Sequence, residues 1–189
     1  QDNIKRLLAY GSIGNMGYAL MGVLAATPEG LSAALLYMFV YMAMTAGLFA
    51  VLLSVRRGDG EMVETMDDFA GLSQTHPVPA YLIAVMMFSM AGIPPLAGFF
   101  SKLMVFQAVV AAGYITVAVV GVLTSVVAAY YYLRVIRIMF FDAPRGEVRG
   151  DMSFGQQMAS LVGVLGVLFF VFAPGPFYTL ATHAVAGLT

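Results

Sequence analysis

Apolar residues in this chain come in long runs, far longer than one face of a soluble helix needs, and short polar stretches separate them. The runs at 4–26 and 31–55 are each long enough to cross roughly 30 Å of hydrocarbon at about 1.5 Å per residue. Thr27, Pro28, Glu29 and Gly30 supply a turn between them, and Arg56, Arg57 and Gly58 close the second. A third run, 78–112, is too long for one simple span and is interrupted by Gly92, Ile93, Pro94 and Pro95. Two prolines remove two backbone donors, so the helical ladder fails at 92–95 and two half-helices are expected. The fourth run, 114–140, ends in the rings and arginines between Tyr130 and Arg137, which suit a membrane interface. A fifth, 157–172, stops before Pro174, Gly175 and Pro176. The pattern predicts an all-α membrane protein, one membrane domain over 1–189 with about five transmembrane elements, one of them discontinuous. Polar loops are expected at 56–77, with room for a short surface helix, and at 141–156.

Composition agrees with that solvent. The chain is 61% hydrophobic and 10% charged, with mean hydropathy +0.89, where a soluble domain carries about 25% charged residues. There is no cysteine, which excludes disulfides, thiolate metal sites and iron–sulfur ligation by these residues. His76 and His183 lie far apart and outside the apolar runs, so no haem-ligand pair is apparent and no cofactor or metal is expected in this chain.

Placement of charge says more than the net value of −1. If successive runs alternate direction and the broken one counts as a single crossing, Lys5, Arg6, Arg56, Arg57, Arg134, Arg137, Arg145 and Arg149 all fall at one face. Splitting the third run into two full spans would scatter the arginines over both faces. By the positive-inside rule the basic face is cytoplasmic, with residue 1 inside and the C-terminus outside, in a bacterial inner membrane or an equivalent energy-transducing membrane.

Lys102 is the exception, the one charged side chain deep inside an apolar run rather than near its end. It lies ten residues before Ala112, roughly 15 Å from the end of its element and near the bilayer middle. An ion in hydrocarbon costs at least about 3 kcal/mol, so an intramembrane lysine points to ion or proton traffic. Unpaired backbone groups at a helix break line hydrated cavities in transporters, and Lys102, about two turns past Pro95, reaches such a cavity with Ser101 beside it. The plainer reading is a packing lysine paired with a carboxylate of a neighbouring chain. Every Asp and Glu of this sequence falls in a loop or at an end of a run, so a carboxylate partner must come from elsewhere.

Lys5, Ser12 and Asn15 lie on or near one face of the first run and form a candidate polar path inward from the basic face. They also suit helix–helix adhesion, with Lys5 reaching for the interface. Gly11, Gly14 and Gly17, and the pair Gly163 and Gly166, are read as points of close helix approach. Met86, Met87 and Met90 are read as packing, and the histidines as surface residues.

Two stretches carry a family resemblance. DNIKRLLAYGSIGNMGY, from Asp2 to Tyr18, and MAGIPPLAGFFSKLMVF, from Met90 to Phe106, together with YYYLR from Tyr130 to Arg134, resemble the antiporter-like membrane subunits of respiratory complex I. The form of the second stretch is most similar to the subunit N branch of bacterial NADH:quinone oxidoreductase, the counterpart of mitochondrial subunit 2. The resemblance implies a proton-translocating, non-redox subunit that couples quinone reduction to proton transfer through intramembrane lysines. It places the lysine matching Lys102 in an output half-channel and the one matching Lys5 near the start of a helix lining the second half-channel. NADH, flavin, iron–sulfur clusters and quinone are then handled by other membrane-arm and peripheral subunits, its partners besides lipid, with no nucleic acid. A subunit of a multisubunit cation/proton antiporter, or a non-conducting scaffold, are the alternatives. The fold implied has about fourteen membrane helices in two inverted repeats, of which this chain matches the last five elements. With Gln1 in place of methionine, a C-terminal part of a longer polypeptide is expected, the missing N-terminal part being a further partner. Asn15, which cannot titrate, stands where the resemblance implies a histidine or another polar side chain, so any proton role for it runs through bound water.

Overall fold

The computed structural model describes residues 1–150, 152–172 and 174–186; Asp151 of the expected second loop, and the C-terminal end whose side was expected to be outside, lie beyond the described residues. Helix α1 (Ile4–Leu24) is capped by Asn3, whose side chain accepts the Arg6 N–H at 3.0 Å. Helix α2 (Pro28–Leu52) starts with Thr27 accepting from Gly30 and with proline at its first position, where the missing donor costs nothing. Between them the backbones touch: a Cβ on Gly22 would meet the Gly30 carbonyl at 2.8 Å.

After α2 the chain forms a charged lid at one end of the bundle. Strand β1 (Val55–Arg57), a 3₁₀ turn (Met66–Phe69) and the single-turn α3 (Leu72–Thr75) precede α4 (Pro77–Ala91). Strand β2 (Val148–Gly150) pairs antiparallel with β1, Arg56 opposite Arg149. The two expected loops are therefore one ribbon, which the sequence reading did not foresee; three-residue strands leave no apolar alternation to detect. The chain start is stitched in as well, with Ile4 N–H donating to Glu64 O at 2.9 Å and Met66 N–H to Asp2 O at 2.8 Å. Arg57 grips Asp68 through two bonds of 2.9 and 2.8 Å, and Arg145 reaches Asp67 at 2.8 Å.

Helix α5 (Ala97–Ala111) follows α4 after a five-residue interruption, and α6 (Ile115–Phe141) returns to the lid. Helices α7 (Phe154–Phe172) and α8 (Pro174–Ala186) run together along α2. Gly163 of α7 sits against Gly47, whereas Phe177 of α8 faces Phe39 and Leu180, Ala181 and Ala184 line a groove with Leu35 and Leu36. Pro174 was expected to close the last apolar run. Instead it opens a second helix that continues the same direction, as proline at a first helical turn permits. Of the five glycines expected at close approaches, Gly11 and Gly163 make them; Gly14, Gly17 and Gly166 face open space.

Three helices, α1, α2 and α6, are long and apolar enough to cross a membrane. The main core fills the space among α2, α4, α6 and the lid, with Met44, Leu48, Ile83, Met86, Met87 and Met139 almost fully buried. A second cluster of small and aromatic residues, including Ala25, Ala33, Val105, Ala108, Val109 and Ala118, packs the opposite end.

The Arg57–Asp68 clasp makes the lid acid-sensitive. Burial alone would push the Asp68 carboxyl up, but the Arg57 guanidinium and the Thr65 and Glu64 amides hold it down to about 2 from 3.8. A depressed carboxyl contributes stability that is complete above its unfolded value near 3.8 and lost as pH falls toward about 2. Hydrogen exchange in detergent should therefore show the Glu64 and Thr65 amides protected at neutral pH and released over that window. Asp68→Asn should abolish the step.

Candidate functional site

The site grows from the interruption between α4 and α5. In an α-helix the carbonyl of residue i accepts from the N–H of i+4, so Met90 and Ala91 would need donors from Pro94 and Pro95, which have none. Gly92 takes the left-handed conformation, φ +81°, ending α4 with Ile93 N–H donating to Phe88 O at 3.1 Å and Gly92 N–H to Ser89 O at 3.0 Å. Helix α5 then docks on this end. A Cβ on Gly98 would run into the Ser89 carbonyl, and the Gly98 N–H, free at the start of α5, donates to Ser89 Oγ at 3.0 Å.

Lys102, on the second turn of α5, folds back over the joint. Its Nζ donates to the orphaned Met90 carbonyl at 2.8 Å and to Ser125 Oγ of α6 at 3.3 Å, and stands 4.9 Å from the centre of the Tyr18 ring of α1. Only 4% of the residue is exposed. Hydrogen bonds to a charged group contribute about 1.5–3 kcal/mol each. A desolvated cation–π contact adds about 2 kcal/mol. Their sum is comparable to the cost of an ion at that depth. Among the described residues no carboxylate takes part. Every partner is neutral and fixed by a different helix.

A ring-rich polar cluster lies next to it. Tyr37 donates to Asn15 Oδ1 at 2.6 Å, and Asn15 Nδ2 donates to Gly11 O at 2.8 Å and to the Tyr132 hydroxyl at 3.4 Å. Tyr18 meets Tyr37 edge-on at 6.0 Å and pairs its hydroxyl with Thr124 at 3.4 Å. A Cβ on Gly11 would approach the Tyr132 hydroxyl to 2.6 Å, so the close passage of α1 and α6 depends on that glycine. On the lid side of this cluster a cleft of about 310 Å³ is walled by Lys5 and Ser12 of α1, Tyr41 and Thr45 of α2, Met90 and Tyr132.

The sequence candidates distribute unevenly over this geometry. Gly92, Pro94 and Pro95 form the interruption, with Lys102 on it. Asn15 sits in the cluster, 3% exposed, and Ser12 lines the cleft while bonding Ala9 O at 2.6 Å. Lys5 stands at the cleft's edge and pairs with Glu64 at 2.9 Å. Ser101 turns away, its hydroxyl held by Gly98 O at 3.2 Å within α5. Tyr18, Tyr37, Thr45, Ser125 and Tyr132 went unrecognised. Only the Met90 carbonyl had a readable signal, the absent donor at Pro94.

The bundle of apolar helices has an antiporter-like membrane fold. The family described as NADH:quinone oxidoreductase/Mrp antiporter, TM, matches residues 1–128. NADH-quinone oxidoreductase subunit N 1 of Rhizobium meliloti is 52% identical over 184 residues, 97% of this chain and 38% of that protein. Subunit N of Methylobacterium nodulans is 48% identical over 188 residues, 100% and 39%. The chain thus spans about two fifths of the length of these relatives. A solved respiratory complex I from Thermus thermophilus with bound aureothin superposes with TM-score 0.81 at 29% identity over 95% of this chain and 40% of its own. The Mrp complex of a Dietzia species shares the fold, TM-score 0.85 at 22% identity, covering 100% and 43%. The chain belongs to the NADH:quinone oxidoreductase/Mrp antiporter transmembrane family, and is an integral membrane protein.

The Asn15 cluster yields a stability prediction. Tyr37→Phe leaves Asn15 Oδ1 without its donor and should cost about 1 kcal/mol. Unfolding midpoints in detergent check it, and a double-mutant cycle with Asn15→Leu should return a coupling of the same sign.

Proposed function

We propose that this chain is the lysine-bearing C-terminal part of a proton-translocating, non-redox subunit of NADH:quinone oxidoreductase. One observation carries the reading: every group around the Lys102 amine is neutral, and the set can satisfy both protonation states. An ammonium has three N–H donors, which meet the Met90 carbonyl, the Ser125 hydroxyl and the Tyr18 ring. An amine has two donors and one lone pair, and Ser125, whose hydroxyl can rotate, turns from acceptor to donor. A carboxylate would fix the charged form; its absence among the described residues leaves the proton free to leave.

In this reading α4 and α5 are the halves of one discontinuous crossing, and α7 with α8 makes another, giving five crossings with the charged lid on the cytoplasmic side. The threading of basic residues supports it: Arg57, Arg145 and Lys5 all pair with acids in the lid, and Glu29 is the one charged residue at the opposite end. The nucleotide, flavin, clusters and quinone belong to other subunits, and the partners are lipid, the neighbouring membrane subunits and the remainder of a longer chain. The names of the relatives, at 46–52% identity, favour this over a cation/proton antiporter subunit.

In vesicles of the intact complex, Lys102→Met should abolish proton translocation by this subunit while assembly survives. Lys102→Arg should impair it too, because a guanidinium keeps its proton at all accessible pH. Undiminished proton transfer in Lys102→Met would leave only a packing role. Copurification with quinone-linked NADH oxidation separates the complex I assignment from an antiporter.

A further inference from the structure

The lid ribbon sets two arginines against each other. In the antiparallel register Arg56 of β1 stands directly opposite Arg149 of β2. The two side chains therefore leave on one face with Cβ atoms about 4.5–5.5 Å apart, an arrangement of like charges that costs stability unless something neutralises it. Alternation along the strands sends their neighbours the other way: Val55 and Val148 pack on the core, and Arg57 turns to Asp68. On its other side Arg56 meets Met62 across an isolated bridge, and Met62 carries no charge. Glu147 shares the arginine face, yet its carboxylate folds over Gly58, where a Cβ would meet Oε2 at 3.3 Å, and it forms no ion pair with either arginine. Elsewhere on the lid Lys5, Arg57, Arg134 and Arg145 each hold an acid. Arg56 and Arg149 are both exposed and, among the described residues, hold none.

Their position indicates what they face. Strand β1 starts three residues after α2 ends, and β2 ends four residues before α7 begins. These two helices touch, Gly163 against Gly47, so the arginine pair stands over the lid end of the α2–α7 seam. Down from there α7 carries an uncovered apolar stripe, Phe154, Met158, Leu161, Val162 and Leu165. It runs for roughly 16 Å, about the depth of one leaflet of a membrane with a 30 Å hydrocarbon core. The stripe leads into an apolar concavity of about 600 Å³ at Leu165, Gly166, Leu168 and Phe172. Two guanidinium forks above an apolar stripe match a phosphate ester above acyl chains. We propose that Arg56 and Arg149 clamp the headgroup phosphate of an anionic phospholipid, whose acyl chain lies along the α7 stripe toward that concavity. The phosphate removes the repulsion across the ribbon, so lipid binding and the pairing of β1 with β2 stabilise one another. The clamp is independent of Lys102 and needs only that the chain lies in a membrane.

The test uses the intact complex in phosphatidylcholine vesicles, with a trace of phosphatidylglycerol bearing a diazirine in its acyl chain or, in parallel, the matching phosphatidylcholine probe. Phosphatidylglycerol should label 154–168 in preference to phosphatidylcholine. Arg56→Gln and Arg149→Gln should each lower that preference about fivefold, and the double variant should erase it. Arg137→Gln, which removes an exposed lid charge from α6, should leave the labelling unchanged. Equal labelling by the two probes, or a loss in Arg137→Gln as large as in Arg56→Gln, overturns the clamp in favour of general surface charge. An excess of inorganic phosphate should not displace the probe; displacement overturns the lipid in favour of free phosphate. Absence of labelling by either probe means that a neighbouring protein covers the segment, and this too overturns the proposal. A second readout separates folding from binding. In lipid-free detergent the double variant should melt no lower than the parent, having lost a like-charge pair, and added phosphatidylglycerol should raise the midpoint of the parent alone. A lower midpoint in the variant, or an equal rise in both, would sink the clamp.

Discussion

Where no water reaches, every backbone group released from a helix must find its partner inside the protein. The interruption between α4 and α5 releases carbonyls and amides midway between two apolar helices, with Ala91 buried and Pro94 and Pro95 exposed, and the contacts of the neighbouring helices settle the buried ones. Gly92 turns the end of α4 so that Phe88 and Ser89 regain donors, Ser89 Oγ takes the first free amide of α5, and Lys102 takes the Met90 carbonyl. Each contact demands proximity, and Gly98 is the residue that lets α5 come that near to Ser89. The joint is closed by a charged side chain from the far half.

The charged lid acts on a different scale. Its ion pairs are mostly half-exposed and individually weak, about 0–1 kcal/mol each. Their value is collective. Strands β1 and β2, the chain start and the 3₁₀ turn are joined by backbone bonds, so α1, α2, α4 and α6 are tied at one end, and the partly buried carboxylate of the Arg57–Asp68 pair fixes the turn between them. The opposite end has no such ribbon and relies on the contact of Gly22 with Gly30 and on small side chains.

Long apolar runs made α1, α2 and α6 legible, since length and composition alone decide whether a helix can span. The paired prolines likewise announced the break, because a missing donor is visible in the sequence. What stayed hidden depends on tertiary geometry. Tyr18 and Ser125 belong to helices far from Lys102 in sequence, and nothing in their local pattern separates them from other interfacial tyrosines and serines. Ser101, adjacent to Lys102, was the natural local choice, but neighbours in a helix point to different faces and its hydroxyl bonds its own turn. The extension of the last run past Pro174 was missed because proline ends one helix and begins another with the same residue.

The reciprocal capping at the joint has a mechanical side. Helix α4 caps α5 through Ser89, and α5 caps α4 through Lys102, so neither half can swing without uncovering the other. Withdrawing the ammonium from Met90 would strip a buried carbonyl at the same instant, so the seat of one charge and the fit of two helices are a single geometric fact.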